Sequence, residues 1–205
     1  MNVNTRLQQE QQLLKAFAQE HPSFIAAAIL AGGLVAGLLG AGGIRAYADA
    51  NTLISREDWR YFLAPIIEEL LKFAVATVVL VGFLPAPWSP RLAIFTGALT
   101  GLGFSIMETA VIAGIDTDVW TLRLLTTTLA HVLFSACACA ALGMANRQRW
   151  LAPAVLFSTL ATAMYFHWSF NHYDRVKVAF LLVSTAALAV GVFVGSRRLL
   201  NARDS

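Results

Sequence analysis

The sequence predicts an all-α membrane protein, a single bundle of about six transmembrane helices preceded by a short amphipathic helix. Two observations support this fold class. The chain of 205 residues is 58% hydrophobic and only 13% charged, with a mean hydropathy of +0.64, which is too apolar for a soluble domain of this size. Apolar runs of spanning length also follow one another along most of the chain.

The predicted spans are separated by short polar links that contain Asp, Pro, Arg or Asn. Because backbone in lipid must satisfy its own hydrogen bonds, each run is expected to be helical. None of the links is long enough for a second domain, so residues 1–205 are expected to form one integral membrane domain. The predicted spans are 24–44, 61–84, 92–115, 120–145, 151–172 and 177–195.

The N-terminal segment, residues 1–22, is too polar for a signal peptide. Leu13, Leu14, Phe17 and Ala18 give it a modest apolar stripe. This pattern predicts a short amphipathic helix on the membrane surface, although a solvated helix would fit the same residues.

Lysine and arginine residues in the links indicate the orientation of the bundle only weakly. With six spans, both termini lie on one side, and eight basic residues fall on that side against six on the other. We therefore expect cytoplasmic termini in a bacterial plasma membrane. The basic residues form no patch suited to nucleic acid, so the lipid bilayer is an expected partner and nucleic acid is not.

Small residues recur at helical spacing in two of the predicted spans. Gly33 and Gly37 lie one turn apart in the first, and Gly97 and Gly101 lie one turn apart in the third. Such pairs let two helices approach closely. Packing within the bundle is the favoured interpretation, and formation of a homodimer is the alternative.

Polar side chains occupy four consecutive predicted spans, and we call them the polar cluster. A charge near the centre of a membrane helix costs roughly 2.5–3.5 kcal/mol, so three in the second span cost about 8–10 kcal/mol. The fourteen Leu, Ile, Phe and Val residues of that span return only about 4–8 kcal/mol. Such charges are tolerable only if they face the bundle interior and find partners there. The polar cluster is Glu68, Glu69, Lys72, Glu108, His131, His167 and Asn171.

Helical spacing allows contacts within the polar cluster. Lys72 lies four residues after Glu68 and three after Glu69, so one ammonium group can reach either carboxylate. His167 and Asn171 are also four residues apart and share one face of their helix. These pairs predict that the side chains point into a common interior.

The depths of the polar residues in their spans also agree. Glu68, Glu108, His131 and His167 each lie about 8–16 Å of helix rise from one end of their span. Because successive spans alternate in direction, all four distances are measured from the same membrane face. The polar cluster is therefore predicted to lie in one half of the bilayer.

The residue types of the polar cluster suit hydrolysis of a peptide bond. Carboxylates crowded at low dielectric repel each other, so one of them can take up a proton near neutral pH, as a general base must. A lysine keeps another carboxylate ionised, a neutral histidine can polarise water, and an asparagine can donate to an oxyanion. Such hydrolysis can proceed with or without a metal. The alternatives left open are an internal ion pair that fixes helix packing and a proton relay in a transporter or channel.

Four motifs in sequence order resemble those of the PrsW family of intramembrane proteases. "EELLK" fits E-E-x-x-K, "FSIME" fits F-x-x-x-E, a lone histidine follows in the next span, and "HWSFN" fits H-x-x-x-N. This family is related to the CAAX prenyl endopeptidases and bacteriocin-processing proteins, which have E-E-x-x-x-R and F-x-x-x-H instead. Lys72 and Glu108 therefore favour PrsW over the prenyl-protein branch. The resemblance covers residues 61–172, the expected catalytic four-helix core, and departs at Thr109, where the family often has Asn.

The resemblance implies a membrane-embedded endopeptidase in which a glutamate activates water. It implies that Glu68 or Glu69 is the general base and that His131 orients the water or stabilises charge. Substrates of the family include membrane-anchored anti-sigma factors that are cut near the membrane on its extracytoplasmic side. The orientation derived above puts the polar cluster toward the same side. A CAAX-type prenyl-protein endopeptidase is the alternative within the superfamily.

The resemblance also implies supporting roles for the remaining polar residues. His167 and Asn171 would supply oxyanion contacts or, if a metal is used, one ligand, while Lys72 and Glu108 would tune the site. Zinc is a possible cofactor because it takes Glu and His ligands. A reaction without a metal is favoured, since no H-E-x-x-H pair lies on one helix. Arg123, just inside the fourth span, would either anchor Glu108 or extend to the membrane interface.

Overall fold

The described part of the chain, in a computed structural model, is helical. The helices that position the site are α1 (Pro22–Gly37), α2 (Ala64–Phe83), α3 (Pro90–Ala113), α4 (Thr117–Leu125), α5 (Thr127–Ala145) and α6 (Ala152–His172). The described residues are 12–13, 16–17, 19–43, 46–47, 50, 55–58, 62–83, 89–145 and 152–172.

Among these described residues, three stretches are long and apolar enough to cross a membrane. They are Pro22–Gly43, Arg91–Ala113 and Thr117–Gly143, which correspond to the first, third and fourth predicted spans. Helices α2 and α6, with 20 and 21 residues, coincide with the second and fifth predicted spans and contain five of the seven residues of the polar cluster. The sixth predicted span, 177–195, lies outside the described residues, so the count of six stays a prediction.

The fourth predicted span, 120–145, is divided into two helices. Helix α4 begins at the cap residue Asp116, whose carboxylate accepts hydrogen bonds from the backbone N–H groups of Asp118 and Val119. It ends before Thr126, where φ is −117°. A separate short helix therefore precedes α5, which the apolar pattern alone does not indicate.

The N-terminal segment 1–22 is described only in part. Leu13 and Phe17 are helical and exposed, and the ring of Phe17 contacts those of His21 and Phe24. The helical conformation agrees with the predicted amphipathic helix at these positions. Its location on the membrane surface stays a prediction.

Helix α1 continues as a π-helix, Leu38–Gly43, with the sequence LLGAGG. A Cβ atom on Gly40 would come 3.0 Å from Cε2 of Phe104 and 3.4 Å from Cγ of Glu68. The glycine therefore lets this turn approach the polar cluster closely. Short π-helical turns are frequent at functional sites, and this one forms a wall beside Glu68.

Glycine residues hold α3 close to both of its neighbours. A Cβ atom on Gly33 or Gly37 would collide with the backbone of α3, and one on Gly97 or Gly101 would collide with the backbone of α5. Helix backbones approach this closely only where side chains are missing. The favoured interpretation of these glycine pairs, packing within the bundle, is confirmed, and a homodimer stays a prediction.

An apolar core fills the end of the bundle opposite to the polar cluster. Ile25 and Ile29 of α1 pack with Val79 and Leu80 of α2 and with Ala93 of α3. These positions lie at the start of α1, the end of α2 and the start of α3. The core thus confines the polar cluster to the other half of the bundle.

Replacing Gly97 by alanine should destabilise the bundle. The new methyl group would collide with the backbone of Ser135 and lie 2.8 Å from Cβ of Cys139, and such overpacking costs about 1–3 kcal/mol. The midpoint of thermal unfolding in detergent should fall. Gly82→Ala is the matched control, because a Cβ atom there meets nothing within 4 Å. Equal midpoints for the two variants would contradict close packing at Gly97.

Candidate active site

Six of the seven residues of the polar cluster meet in the interior of the bundle. Helix α2 contributes three of them, and α3, α5 and α6 contribute one each. The six are Glu68, Glu69, Lys72, Glu108, His131 and His167, and each is at most 8% exposed.

The meeting point lies near one end of the bundle. Glu68 is four residues from the start of α2, and Glu108 and His167 are five residues from the ends of α3 and α6. These separations correspond to about 6–8 Å of helix rise. Asn171 lies one turn beyond His167 on α6 and is half-buried, closer still to that end.

Glu69 is the carboxylate that binds both a lysine and a histidine. Its Oε1 atom lies 2.5 Å from Nζ of Lys72 and 2.8 Å from Nδ1 of His167. An ionised carboxylate only accepts hydrogen bonds, so His167 donates from Nδ1 to Glu69, and its Nε2 atom faces Glu68. Helical spacing puts both Glu68 and Glu69 within reach of Lys72, and in the structure Lys72 hydrogen-bonds Glu69.

His131 is bound at both nitrogens of its ring. Nζ of Lys72 lies 2.9 Å from Nδ1, and Oε2 of Glu108 lies 3.0 Å from Nε2. Because an ammonium group has only donors, Nδ1 accepts, and the ring proton lies on Nε2 and is donated to Glu108. The ring of Phe104 packs 5.1 Å from that of His131 and 5.0 Å from Nζ of Lys72. The tautomer and the orientation of His131 are thereby defined.

Arg123 of α4 joins the cluster from outside the four motifs. Its Nη2 atom lies 2.6 Å from Oε2 of Glu108, and its Nε–H donates to Oγ1 of Thr109 at 3.2 Å. Of the two interpretations that the sequence left open, the contacts support anchoring of Glu108. The sequence did not predict the contact between Thr109 and Arg123, because the spacing of residues along α3 does not show which residue of α4 Thr109 meets.

Glu68 differs from Glu69 in its hydrogen bonds. Its Oε2 atom is buried and has no hydrogen-bond partner in the described part of the chain, and Nε2 of His167 lies 3.5 Å away. Burial of a carboxylate oxygen without a partner is unfavourable. The atom is therefore the position in the cluster best suited to bind a water molecule, a cation or a substrate group.

Glu68, His131 and His167 can turn ligand atoms toward one centre. One such atom from each residue lies within 4.8 Å of the other two, and two histidines with one glutamate are a ligand set of catalytic zinc. The unpartnered Oε2 of Glu68 and the Nε2 atom of His167 are placed to bind a cation, while His131 would exchange a present partner for it. These residues fit a zinc ion. They come from three helices, so the lack of an H-E-x-x-H pair does not argue against a metal.

Comparison with known families identifies the class of protein. Residues 20–196 match the family described as PrsW family intramembrane metalloprotease. The chain belongs to the PrsW family. It is therefore an integral membrane protein and an intramembrane protease, and the resemblance drawn from the four motifs is confirmed. No curated protein and no solved structure matches the chain.

The matched PrsW region is longer than the part of the chain that contains the motifs. It begins before α1, whose sequence contains none of the four motifs, and it includes the π-helix beside Glu68. Helix α1 therefore belongs to the same family domain as residues 61–172. Its glycines pack against α3, and its π-helix approaches the side chain of Glu68.

Replacing Lys72 by methionine should strongly destabilise this PrsW family protein. The change leaves Glu69 buried without its cation, and breaking a buried ion pair in this way costs about 3–5 kcal/mol. The double variant Glu69→Gln/Lys72→Met should recover part of this loss, because no unpaired charge is then buried. Thermal unfolding of the single and double variants in detergent measures the coupling. If the stability loss of the double variant equals the sum of the losses in Glu69→Gln and Lys72→Met, the two residues are not coupled.

Proposed function

We propose that the chain is an endopeptidase that hydrolyses a peptide bond of a membrane-anchored protein, with Glu68 as the carboxylate that acts on water. One observation carries this proposal. The buried Oε2 of Glu68 has no hydrogen-bond partner among the described residues and faces Nε2 of His167 at 3.5 Å. A water molecule at this position would contact both atoms and would donate a hydrogen bond to Oε2 of Glu68.

Glu68 suits the role of general base better than Glu69 does. Oε1 of Glu69 already accepts hydrogen bonds from Lys72 at 2.5 Å and from His167 at 2.8 Å, and both donors compete with a water molecule for it. Oε2 of Glu68 has no such donor in the described part of the chain. A base must be within hydrogen-bond reach of the proton that it removes, and Oε2 of Glu68 can accept a hydrogen bond from water without losing an existing one.

The other members of the polar cluster orient the reacting groups or stabilise charge. Glu69 holds His167 by its Nδ1–H group, which keeps Nε2 directed toward Glu68. Lys72 donates hydrogen bonds to both Glu69 and His131 and so links the two side chains. We assign Asn171, one turn beyond His167, to the donation of a hydrogen bond to the oxyanion that forms when water attacks the peptide carbonyl.

The same site would hold a metal through Glu68, His131 and His167. The chemistry that zinc supplies in such a site is activation of a bound water and polarisation of a carbonyl group. If a metal is bound, Glu68 is one of its ligands and acts on water through the cation. Without a metal, Glu68 removes the proton from water itself. The second-sphere contacts of the chain serve either case, because Glu69 orients His167 and Glu108 orients His131.

The proposed substrate is a protein anchored by a membrane span, such as an anti-sigma factor, that is cut close to the membrane surface. Two points support this proposal. Members of the family are described as intramembrane metalloproteases, and Glu68 lies only four residues from the start of α2, about 6 Å of helix rise. A scissile bond near the end of a substrate span could reach this depth. With cytoplasmic termini, the site opens toward the extracytoplasmic half of the membrane.

Cleavage of a single-span substrate in reconstituted membranes tests the function. Glu68→Gln should lower the cleavage rate by about 10²–10⁴-fold, as expected for loss of a general base. Glu69→Gln and His131→Ala should also be impaired. Glu57→Gln is the matched control, because Glu57 is exposed in the short helix Arg56–Asp58. If wild type and all variants cleave equally, the proposed function is wrong. Proton-coupled uptake into vesicles without cleavage would support a transporter instead.

Metal analysis of the purified protein separates the two forms of the mechanism. We expect about one zinc ion per chain, because the Glu–His–His set fits this ion, and loss of the metal in Glu68→Gln and in His167→Ala. Glu57→Gln should retain it. A chelator should abolish cleavage, and added zinc should restore it. Full cleavage by a metal-free, chelator-treated protein would instead establish the glutamate mechanism without a metal.

A further inference from the structure

Arg123, which lies outside the four motifs, contacts the same carboxylate oxygen of Glu108 as His131 does. Oε2 of Glu108 lies 2.6 Å from Nη2 of Arg123 and 3.0 Å from Nε2 of His131. The guanidinium is also hydrogen-bonded through Nε–H to Oγ1 of Thr109 at 3.2 Å. Thr109 is completely buried. Arg123 thus forms an ion pair with Glu108, donates a hydrogen bond to Thr109, and approaches His131 only through Glu108.

Helix α4 is held in place at its start. The carboxylate of Asp116 caps its first turn, and Nε1–H of Trp120 donates to the backbone carbonyl of Gly114 at 2.8 Å. Gly114 ends α3 with a φ of 55°, a conformation that glycine adopts readily. These contacts define the path of the chain from α3 into α4, and they bring Arg123 back over α3.

Arg123 compensates a charge that would otherwise be poorly compensated. Glu108 is 8% exposed, and the other group bound to its Oε2 is the neutral imidazole of His131. A buried carboxylate with only a neutral donor is unfavourable. Without the guanidinium, the side chain of Glu108 loses the contact that holds it and can turn away from His131. This movement removes the acceptor of the Nε2–H group of His131, so the ring is held only at Nδ1, by Lys72.

We propose that Arg123, held by Thr109, is a positioning residue that keeps the carboxylate of Glu108 directed at His131. Its effect on catalysis rests on the proposed function. Its effect on the hydrogen bonding of the His131 ring does not depend on the proposed function. The catalytic effect and the effect on the ring can therefore be measured separately.

Kinetic analysis of three variants tests the catalytic consequence. Arg123→Met should lower kcat about 10–100-fold, the range found for residues that orient a ligand or catalytic group, and leave KM nearly unchanged. In the Glu108→Gln background, Arg123→Met should cause no further loss, because it acts through Glu108. Multiplied losses in the double variant, or a raised KM with unchanged kcat, would overturn the proposal.

The hydroxyl group of Thr109 can be tested by itself. Thr109→Val should lower kcat about threefold to tenfold, as expected for the loss of one typical hydrogen bond, and Thr109→Ser should restore it. Thr121→Val is the matched control, since the exposed hydroxyl of Thr121 donates only to the backbone of its own helix. If Thr109→Ser is as impaired as Thr109→Val, the hydroxyl group does not hold Arg123.

Nitrogen NMR of histidine side chains tests the proposal without any substrate. In the ¹⁵N-labelled protein, the ring signals of His131 are identified by their loss in His131→Gln. Arg123→Met and Glu108→Gln should shift these signals in the same way, and Thr121→Val should leave them unchanged. Unshifted His131 signals in Arg123→Met would overturn the proposal even if the protease activity is established. Shifted signals in a protein that cleaves nothing would retain the positioning role and refute only the proposed function.

Discussion

The buried ion pair between Glu69 and Lys72 is the interaction on which the rest of the site depends. A carboxylate and an ammonium group in the interior of a membrane protein are tolerable only when each has partners. At 2.5 Å they satisfy each other, and each also extends to a histidine. Glu69 binds Nδ1 of His167, and Lys72 binds Nδ1 of His131. Two histidines on different helices therefore receive their orientation from neighbouring turns of α2.

Close packing of the helices is the second constraint, and it acts through glycine. Gly101 of α3 lies against the backbone carbonyl of His131, where a Cβ atom would collide. This separation sets the distance at which Glu108, two turns further along α3, meets the ring of His131. Gly40 has a similar effect on the other side, because it lets the π-helix lie against Glu68. The sites of closest packing are thus also the sites that shape the cluster.

Much of the candidate site could be predicted from the sequence. The costs of Glu68 and Lys72 in lipid predict an interior location, and helix rise predicts that Glu108 and His167 lie at the same depth. The partners within the cluster could not be predicted. Lys72 is within reach of both glutamates, and Arg123 had two interpretations, because spacing along one helix does not define how a neighbouring helix is rotated.

By itself, the sequence determined that this is a helical membrane protein and which residues form a polar cluster in one half of it. Hydropathy and helix rise are local properties, so they can be read without knowing the neighbours. Only the tertiary structure decided that Glu69 receives both Lys72 and His167 while an oxygen of Glu68 stays without a partner in the described chain. Adjacent residues on a helix point about 100° apart, and the surrounding helices determine what each of them meets.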